Sequence, residues 1–165
     1  MSIPVEIPTR EGVFIVSFSL RGLRRLEFPF RDDASKPCPP SADLLTTQQR
    51  LWLTQTRAAL DAVLTGKNPR ELPPLDWSGH TEFRQNVWRA MLRIPPGATK
   101  SYGEIAVELN KPLASRAVGG ACGANPIPVL IPCHRVLAAN GRLGGFSGGL
   151  DWKRRLLAIE GIVAK

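Results

Sequence analysis

Cysteine is scarce in this 165-residue chain: Cys38, Cys122 and Cys133 make up the whole set. An odd number with no CxxC spacing excludes a disulfide framework and a four-cysteine zinc site. Tyrosine occurs once, as Tyr102, and histidine twice, as His80 and His134. Long apolar runs are missing too. The aliphatic stretches 13–20 and 129–131 fall far short of the ~20 residues that cross a bilayer, so no membrane partner is expected. The start, Met1-Ser2-Ile3-Pro4-Val5-Glu6, lacks a basic segment followed by a long apolar one, and no secretory signal is read there. The expected location is intracellular, cytoplasmic if the source is prokaryotic.

Acidic residues are in short supply, 14 against 22 Lys and Arg, for a formal net charge of +8. The imbalance is local. Residues 1–78 hold ten basic and nine acidic side chains, net +1, whereas residues 79–165 hold twelve and five, net +7. A basic half-chain is the electrostatic footprint of phosphate-backbone binding.

The chain is long enough for one ordinary domain or two small ones sharing an interface. Residues 13–20 and 23–28, rich in β-branched and aromatic side chains and separated by Arg21-Gly22, predict a hairpin. Residues 37–40 predict a proline-rich loop. The apolar spacing of Leu45, Leu53, Ala59, Leu60 and Val63 predicts a helix over 43–64, closed by Gly66. Leu72-Pro73-Pro74-Leu75 reads as an extended linker, and the boundary is placed near Ser78, giving an N-terminal α/β domain (1–78) and a C-terminal domain (79–165).

The second half reads as short helices. Thr81 caps a helix whose face is Phe83, Val87, Ala90, Met91 and Ile94, stopped by Pro95-Pro96-Gly97. Ser101 with Glu104 forms a capping box. After the turn Asn110-Lys111-Pro112 a further helix is predicted over 113–121, which makes a helix-turn-helix spacing. That last helix holds Ala117, Gly119, Gly120 and Ala121 and is almost without side-chain bulk. Glycine costs a helix about 1 kcal/mol relative to alanine, so something else needs the space: a neighbouring helix, or a DNA backbone facing the N–H groups.

Pro132-Cys133-His134-Arg135-Val136 carries the chemistry. A thiol at its usual ~8.5 is mostly protonated at neutral pH, and a histidine beside it supplies a base. Prolines at 126, 128 and 132 fix φ and remove donors, which holds the thiol on a stiff loop rather than a helix. Neighbours in an extended segment point apart, so both direct Cys133–His134 contact and a bridging water are open. A buried apolar cysteine beside a satisfied histidine is the plainer alternative.

The order of five motifs, Ser101-Tyr102-Gly103-Glu104-Ile105-Ala106, Ala114-Ser115-Arg116-Ala117-Val118-Gly119-Gly120-Ala121, Asn125-Pro126-Ile127-Pro128, Ile131-Pro132-Cys133-His134-Arg135-Val136 and Gly145-Phe146-Ser147-Gly148-Gly149, resembles the O6-alkylguanine-DNA alkyltransferases. The likeness is strong over the C-terminal half and only general before it. It implies an N-terminal RNase H-like domain of small sheet plus helix, followed by a mostly helical winged helix-turn-helix domain. It implies repair by irreversible, single-turnover transfer of an alkyl group from O6-alkylguanine to Cys133, with O4-alkylthymine a second candidate substrate.

The resemblance assigns further roles. His134 and Glu160 would complete a relay from Cys133 through water, and Tyr102 would donate toward guanine N3. Arg116 would fill the gap left by a flipped nucleotide, with Ala117, Gly119, Ser101 and Arg135 also on DNA. Asn125 would brace the loop. Pro128, Val136, Phe146 and Ser147 would line the substrate site, with the backbone N–H near Ser147 reaching O6 and the carbonyls of Cys133 and Val136 accepting from the exocyclic amine. Gly148 and Gly149 would permit a turn with positive φ. Phe146 stands where several relatives carry tyrosine. Some relatives hold an N-terminal zinc, but Cys38 and His80 are too few ligands, so neither metal nor cofactor is expected. The partner is double-stranded DNA, bound by a monomer.

Three other classes compete. A DNA-lesion-binding protein without chemistry would not need Cys133, a winged-helix regulator would not need the Pro-Cys-His loop, and a cysteine hydrolase would not need the basic half.

Overall fold

A computed structural model describes residues 3–29 and 42–164. Cys38 and the proline-rich loop at 37–40 lie outside the described residues. The architecture is mixed α/β. Three antiparallel strands, β1 (Ile3–Thr9), β2 (Gly12–Phe18) and β3 (Leu23–Glu27), form a meander in sequence order. The hairpin expected from sequence is β2–β3, pairing Val16 with Leu26. Strand β1 is an addition to the sequence reading, because Pro4 and Pro8 argue against a strand. Among the described residues it sits at the sheet edge and pairs with β2 alone, where a missing N–H is tolerated. Its Val5 and Ile7 alternate inward with Phe14, Val16 and Phe18 of β2.

Helix α1 (Thr47–Leu64) covers the sheet with Trp52, Leu53, Thr56, Ala59, Leu60, Val63 and Leu64 buried at helical spacing, and Trp52 reaches Phe18 with ring centroids 6.4 Å apart. It starts later than residue 43, since Thr46 and Gln49 make a capping box that outcompetes the 3-10 turn Ala42–Leu44. At its end the N–H groups of Gly66 and Lys67 reach back to Val63 and Ala62, and Gly66 has φ +74°, the left-handed stop expected of glycine.

The stretch at 72–76 is extended, as expected, and is hydrogen-bonded along β3. Leu23 N–H donates to Pro74 O at 2.7 Å and Asp76 N–H to Leu23 O at 2.8 Å. A Cβ on Gly22 would lie 2.1 Å from Pro74 O, so only glycine allows this approach. Further along, Leu26 N–H donates to Pro126 O at 2.9 Å. The outer edge of β3 is therefore shared between residues 72–76 and the loop that leads to Cys133.

Helix α2 (Glu82–Leu92) is capped by Thr81 and buries Val87, Trp88, Ala90 and Met91. Helix α3 (Tyr102–Glu108) begins at the predicted Ser101–Glu104 capping box. Helix α4 (Ser115–Gly123) starts two residues after the predicted position. Trp88 Nε1–H donates to Ala121 O at 2.8 Å, tying α2 to α4. A parallel two-stranded ladder, β4 (Lys100–Ser101) with β5 (Val136–Leu137), joins the start of α3 to the residues after Cys133. Helix α5 (Leu150–Ile159) closes the chain, with Glu160 at its C-cap.

Candidate active site

The loop before Cys133 is held by one side chain. Asn125 Nδ2–H donates to Ile131 O at 2.8 Å while its Oδ1 accepts from Ile127 N–H at 3.0 Å, both inside the protein. Ile131 N–H closes the turn onto Ile127 O at 3.0 Å. Val129, fully buried, is held at φ +74°. A β-branched residue in the left-handed region is a strained outlier costing about 1–3 kcal/mol, so the loop is over-determined by its surroundings.

Cys133 and His134 do not sit in an extended segment. Cys133–Arg135 form a 3-10 turn; the prolines end at 132, so nothing after them forbids a single helical turn. The turn splays the three side chains around its axis. Cys133 is 3% exposed and His134 not at all. His134 Nε2 lies 2.9 Å from Glu160 Oε1. Burial raises the Glu160 carboxyl, but hydrogen bonds from His134 and Arg135 and the charge of Arg135 outweigh it and hold it at about 2. The carboxylate is thus an acceptor, Nε2 carries the proton, and Nδ1 is left as the basic lone pair. Burial also lowers His134, against the pull of Glu160, so the ring is neutral at rest.

Arg135 corrects the sequence reading. Expected on DNA, it is only 4% exposed. Its Nε reaches both Glu160 oxygens at 3.0 Å, Nη2 reaches Oε1 at 2.8 Å, and Nη1 donates to Ile94 O at 2.6 Å. A buried carboxylate needs compensation, and Arg135 supplies it. Gly97 N–H adds a bond to Glu160 Oε2 at 3.2 Å, which explains the Pro-Pro-Gly turn beside the site.

The histidine next in sequence does not make Cys133 a thiolate at rest. Burial pushes Cys133 up to about 11, against the Asn125 amide, the charge of Lys153 and nearby backbone N–H groups, and His134 is not a cation. Cys122 is a core thiol, pushed to about 12 chiefly by burial, with Sγ 3.6 Å from Met91 Sδ.

Lys153 is a residue the sequence reading missed. Fully buried on α5, its ammonium donates to Val136 O at 2.7 Å and to Leu143 O, and lies 6.0 Å from the Phe146 ring centroid. The signal was in the spacing: Lys153, Leu156 and Leu157 share one helix face. The Val136 carbonyl and that of Cys133, which accepts the Val136 N–H, each have one lone pair engaged.

Tyr102 sits half-buried at the start of α3. Burial raises its phenol, and so do the nearby Cys122 and Cys133 thiols. A Cβ on Gly144, itself at φ +67°, would meet the Tyr102 hydroxyl at 2.6 Å, so the loop after β5 presses on that oxygen. Ser147 is exposed at the tip of the turn that Gly149 N–H closes onto Phe146 O at 3.0 Å. Pro128 is buried within the loop wall. Gly149 has φ +88°, but Gly148 has no positive φ; a Cβ there would lie 2.4 Å from the Phe28 ring. Gly148 is glycine for space and not for conformation.

On the outer face, Arg116 and Ala117 of α4 are exposed. An open cavity of about 450 Å³ is lined by Ser101, Tyr102, Ser115, Arg116 and Gly119. Among the described residues nothing lies within 4 Å of a Cβ built on Gly120, so no described helix fills the space of its missing side chain. Among the described residues no three His, Cys, Asp or Glu side chains cluster to hold a metal ion, and no helix is long and apolar enough to cross a membrane.

A buried thiol beside a histidine that a buried carboxylate orients is the arrangement of a cysteine nucleophile with its base, here on a mixed α/β fold. A profile of the 6-O-methylguanine DNA methyltransferase DNA-binding domain matches residues 82–162. The chain is 50% identical over 115 residues to the methylated-DNA–protein-cysteine methyltransferase of Mycobacterium leprae, covering 66% of this chain and 69% of that protein. It is 50% identical over 101 residues to the Mycobacterium tuberculosis protein of the same name, spanning 61% of each. The match thus spans 61% of the length of the Mycobacterium tuberculosis protein and 69% of that of the Mycobacterium leprae protein. The fold superposes on the crystal structure of Mycobacterium tuberculosis OGT in complex with DNA with TM-score 0.73 and 35% identity, covering 94% of this chain and 90% of that one. The chain belongs to the methylated-DNA–protein-cysteine methyltransferase family.

Proposed function

We propose that this protein repairs double-stranded DNA by moving the alkyl group from O6 of guanine onto Cys133, once per molecule. The observation that carries the reading is the buried His134–Glu160 pair adjoining Cys133 in sequence. Glu160 fixes the tautomer that leaves His134 Nδ1 as base. As the sulfur attacks the alkyl carbon, its proton passes to Nδ1, directly or through a water, and the carbon–O6 bond breaks with its electron pair going to the purine. Tyr102 donates a proton toward N3 to neutralise that charge, and the imidazolium proton restores the phenol. A thiol that burial keeps protonated until the base acts is protected from adventitious electrophiles.

Residues 1–78 are read as a small RNase H-like domain, supported by three antiparallel strands and α1. Residues 79–165 are read as a winged helix-turn-helix domain, supported by α3, α4 and the β4–β5 ladder. The exposed α4 face, with Arg116 among small residues, would enter DNA and Arg116 would occupy the space of the flipped nucleotide. Ser101, Ala117 and Gly119 would follow the backbone, and Asn125, Pro128, Val136, Phe146 and Ser147 would shape the base pocket. One chain supplies every group invoked, so the active form is a monomer, working wherever the DNA is kept. Incubation with a duplex carrying labelled O6-methylguanine tests the reading: label should move to the Cys133 peptide, and its retention on DNA would reject it.

A further inference from the structure

Phe28 belongs to the N-terminal half, outside residues 82–162 matched to the family's DNA-binding domain, and follows β3 directly. Its ring nevertheless lies on the loop of the candidate pocket. The Phe28 centroid is 5.6 Å from that of Phe146, in an edge-to-face arrangement at 65°, 5.0 Å from Trp152 and 5.9 Å from Phe14. A Cβ added to Gly148 would fall 2.4, 2.7 and 2.8 Å from three Phe28 ring carbons. Edge-to-face aromatic pairs have a preferred geometry and interiors do not compress, so the ring fixes both Phe146 and the backbone at 148 from behind.

The support under Phe28 is itself anchored. Trp152 stacks edge-on to Phe14 at 5.6 Å, Arg155 of α5 pairs with Glu11 of the β1–β2 turn, and Leu26 N–H holds Pro126 O. The loop carrying Phe146 and the loop carrying Asn125 are thereby tied to the same strand. Phe146 is also linked to the thiol's surroundings through Lys153, whose ammonium is 6.0 Å from its centroid and whose charge acts on Cys133.

We propose that Phe28 is a positioning residue that sets the size of alkyl group the protein accepts, acting through Phe146 and Gly148. This rests on the alkyl-transfer reading above. Truncating the ring lets Phe146 retreat and the loop relax, which admits bulkier groups relative to methyl. A pocket discriminates a small apolar change by roughly tenfold or more, and that sets the scale.

The experiment compares transfer rates from duplex O6-methylguanine and duplex O6-benzylguanine in wild type, Phe28→Ala and Gly148→Ala. Phe28→Ala should raise the benzyl-to-methyl ratio about tenfold, and Gly148→Ala should lower it by pushing the loop inward. In the double variant the methyl group added at position 148 occupies part of the space of the missing ring, so the ratio should return toward wild type. Phe28→Leu, which keeps apolar bulk but removes the ring, carries the same expectation if Phe28→Ala does not fold. An unmoved ratio in the Phe28 variants, or a double variant whose ratio stays as far from wild type as that of Phe28→Ala, would overturn the role of Phe28. Absence of transfer from either duplex by the wild type would instead overturn the proposed function.

Discussion

Glu160 Oε1 accepts from His134 Nε2 at 2.9 Å and from Arg135 Nη2 at 2.8 Å, so one buried carboxylate serves two consecutive residues of the turn that carries Cys133. The first bond sets the base; the second balances the charge. A glutamine at 160 retains hydrogen-bonding capacity while removing the charge. Glu160→Gln should slow transfer by about 10–100-fold, the usual effect of losing an orienting carboxylate. It should also destabilise by roughly 3–5 kcal/mol, because Arg135 is left buried without its counter-ion. Transfer kinetics and denaturant melts check both, and an unchanged rate would return Glu160 to a purely structural role.

Arg135 and Arg116 should separate cleanly. Arg135→Met should lower stability by roughly 3–5 kcal/mol and leave the salt dependence of DNA binding unchanged, since the side chain is buried. Arg116→Ala should be neutral for stability, weaken reaction with duplex DNA and leave reaction with free O6-benzylguanine nearly intact, because a free base needs no extrusion. Equal loss on both substrates for Arg116→Ala would show that it shapes the pocket.

Gly144→Ala should impair Tyr102. The added methyl would meet the phenol oxygen at 2.6 Å, at a residue whose φ of +67° already disfavours alanine. A fall in transfer rate with little change in DNA affinity is expected. If Tyr102→Phe were as fast as wild type, the phenol would have no part in protonating the purine.

Acid should destabilise the fold in two stages. His134 is lowered from 6.5 by burial, so the unfolded chain takes up that proton more readily and stability falls as pH drops below 6.5. Glu160 is lowered from 4.5 to about 2. Burial alone would raise Asp76, but hydrogen bonds from Ser19 and Ser78 and the Arg24 charge outweigh it and bring the carboxyl from 3.8 to about 2. The stabilisation from both carboxylates is present above the unfolded values and is lost as pH falls toward 2. Asp76→Asn should therefore cost about 2 kcal/mol at pH 7, with the gap from wild type closing at the acid end. A constant gap across the titration would contradict the assignment.

Local signals carried much of this architecture. Thr81 and the Ser101–Glu104 box mark helix starts because capping is a contact between near neighbours, and three prolines around 126–132 announce a stiff loop. The relay pair His134 and Glu160 came from resemblance, since 26 residues of separation leave no spacing to read. Other features depended on tertiary context. Pro4 and Pro8 hide β1 until its place at the sheet edge is known. Arg135 reads as a DNA contact until the C-cap of α5 is seen beside it, and Lys153 reads as surface charge until its helix face is buried. Gly148 looks like a turn residue, and only the Phe28 ring, 120 positions earlier in the numbering, reveals it as a matter of space.

Transfer to Cys133 should be single and irreversible, because the resulting thioether has no good leaving group. Titrating the protein with excess duplex O6-methylguanine, with label counted and mapped by peptide mass, tests it most directly. Label should plateau at one equivalent, all of it on Cys133, with none on the Cys133→Ser variant, which should still bind DNA. Continued turnover beyond one equivalent, or label on any other residue, would contradict it.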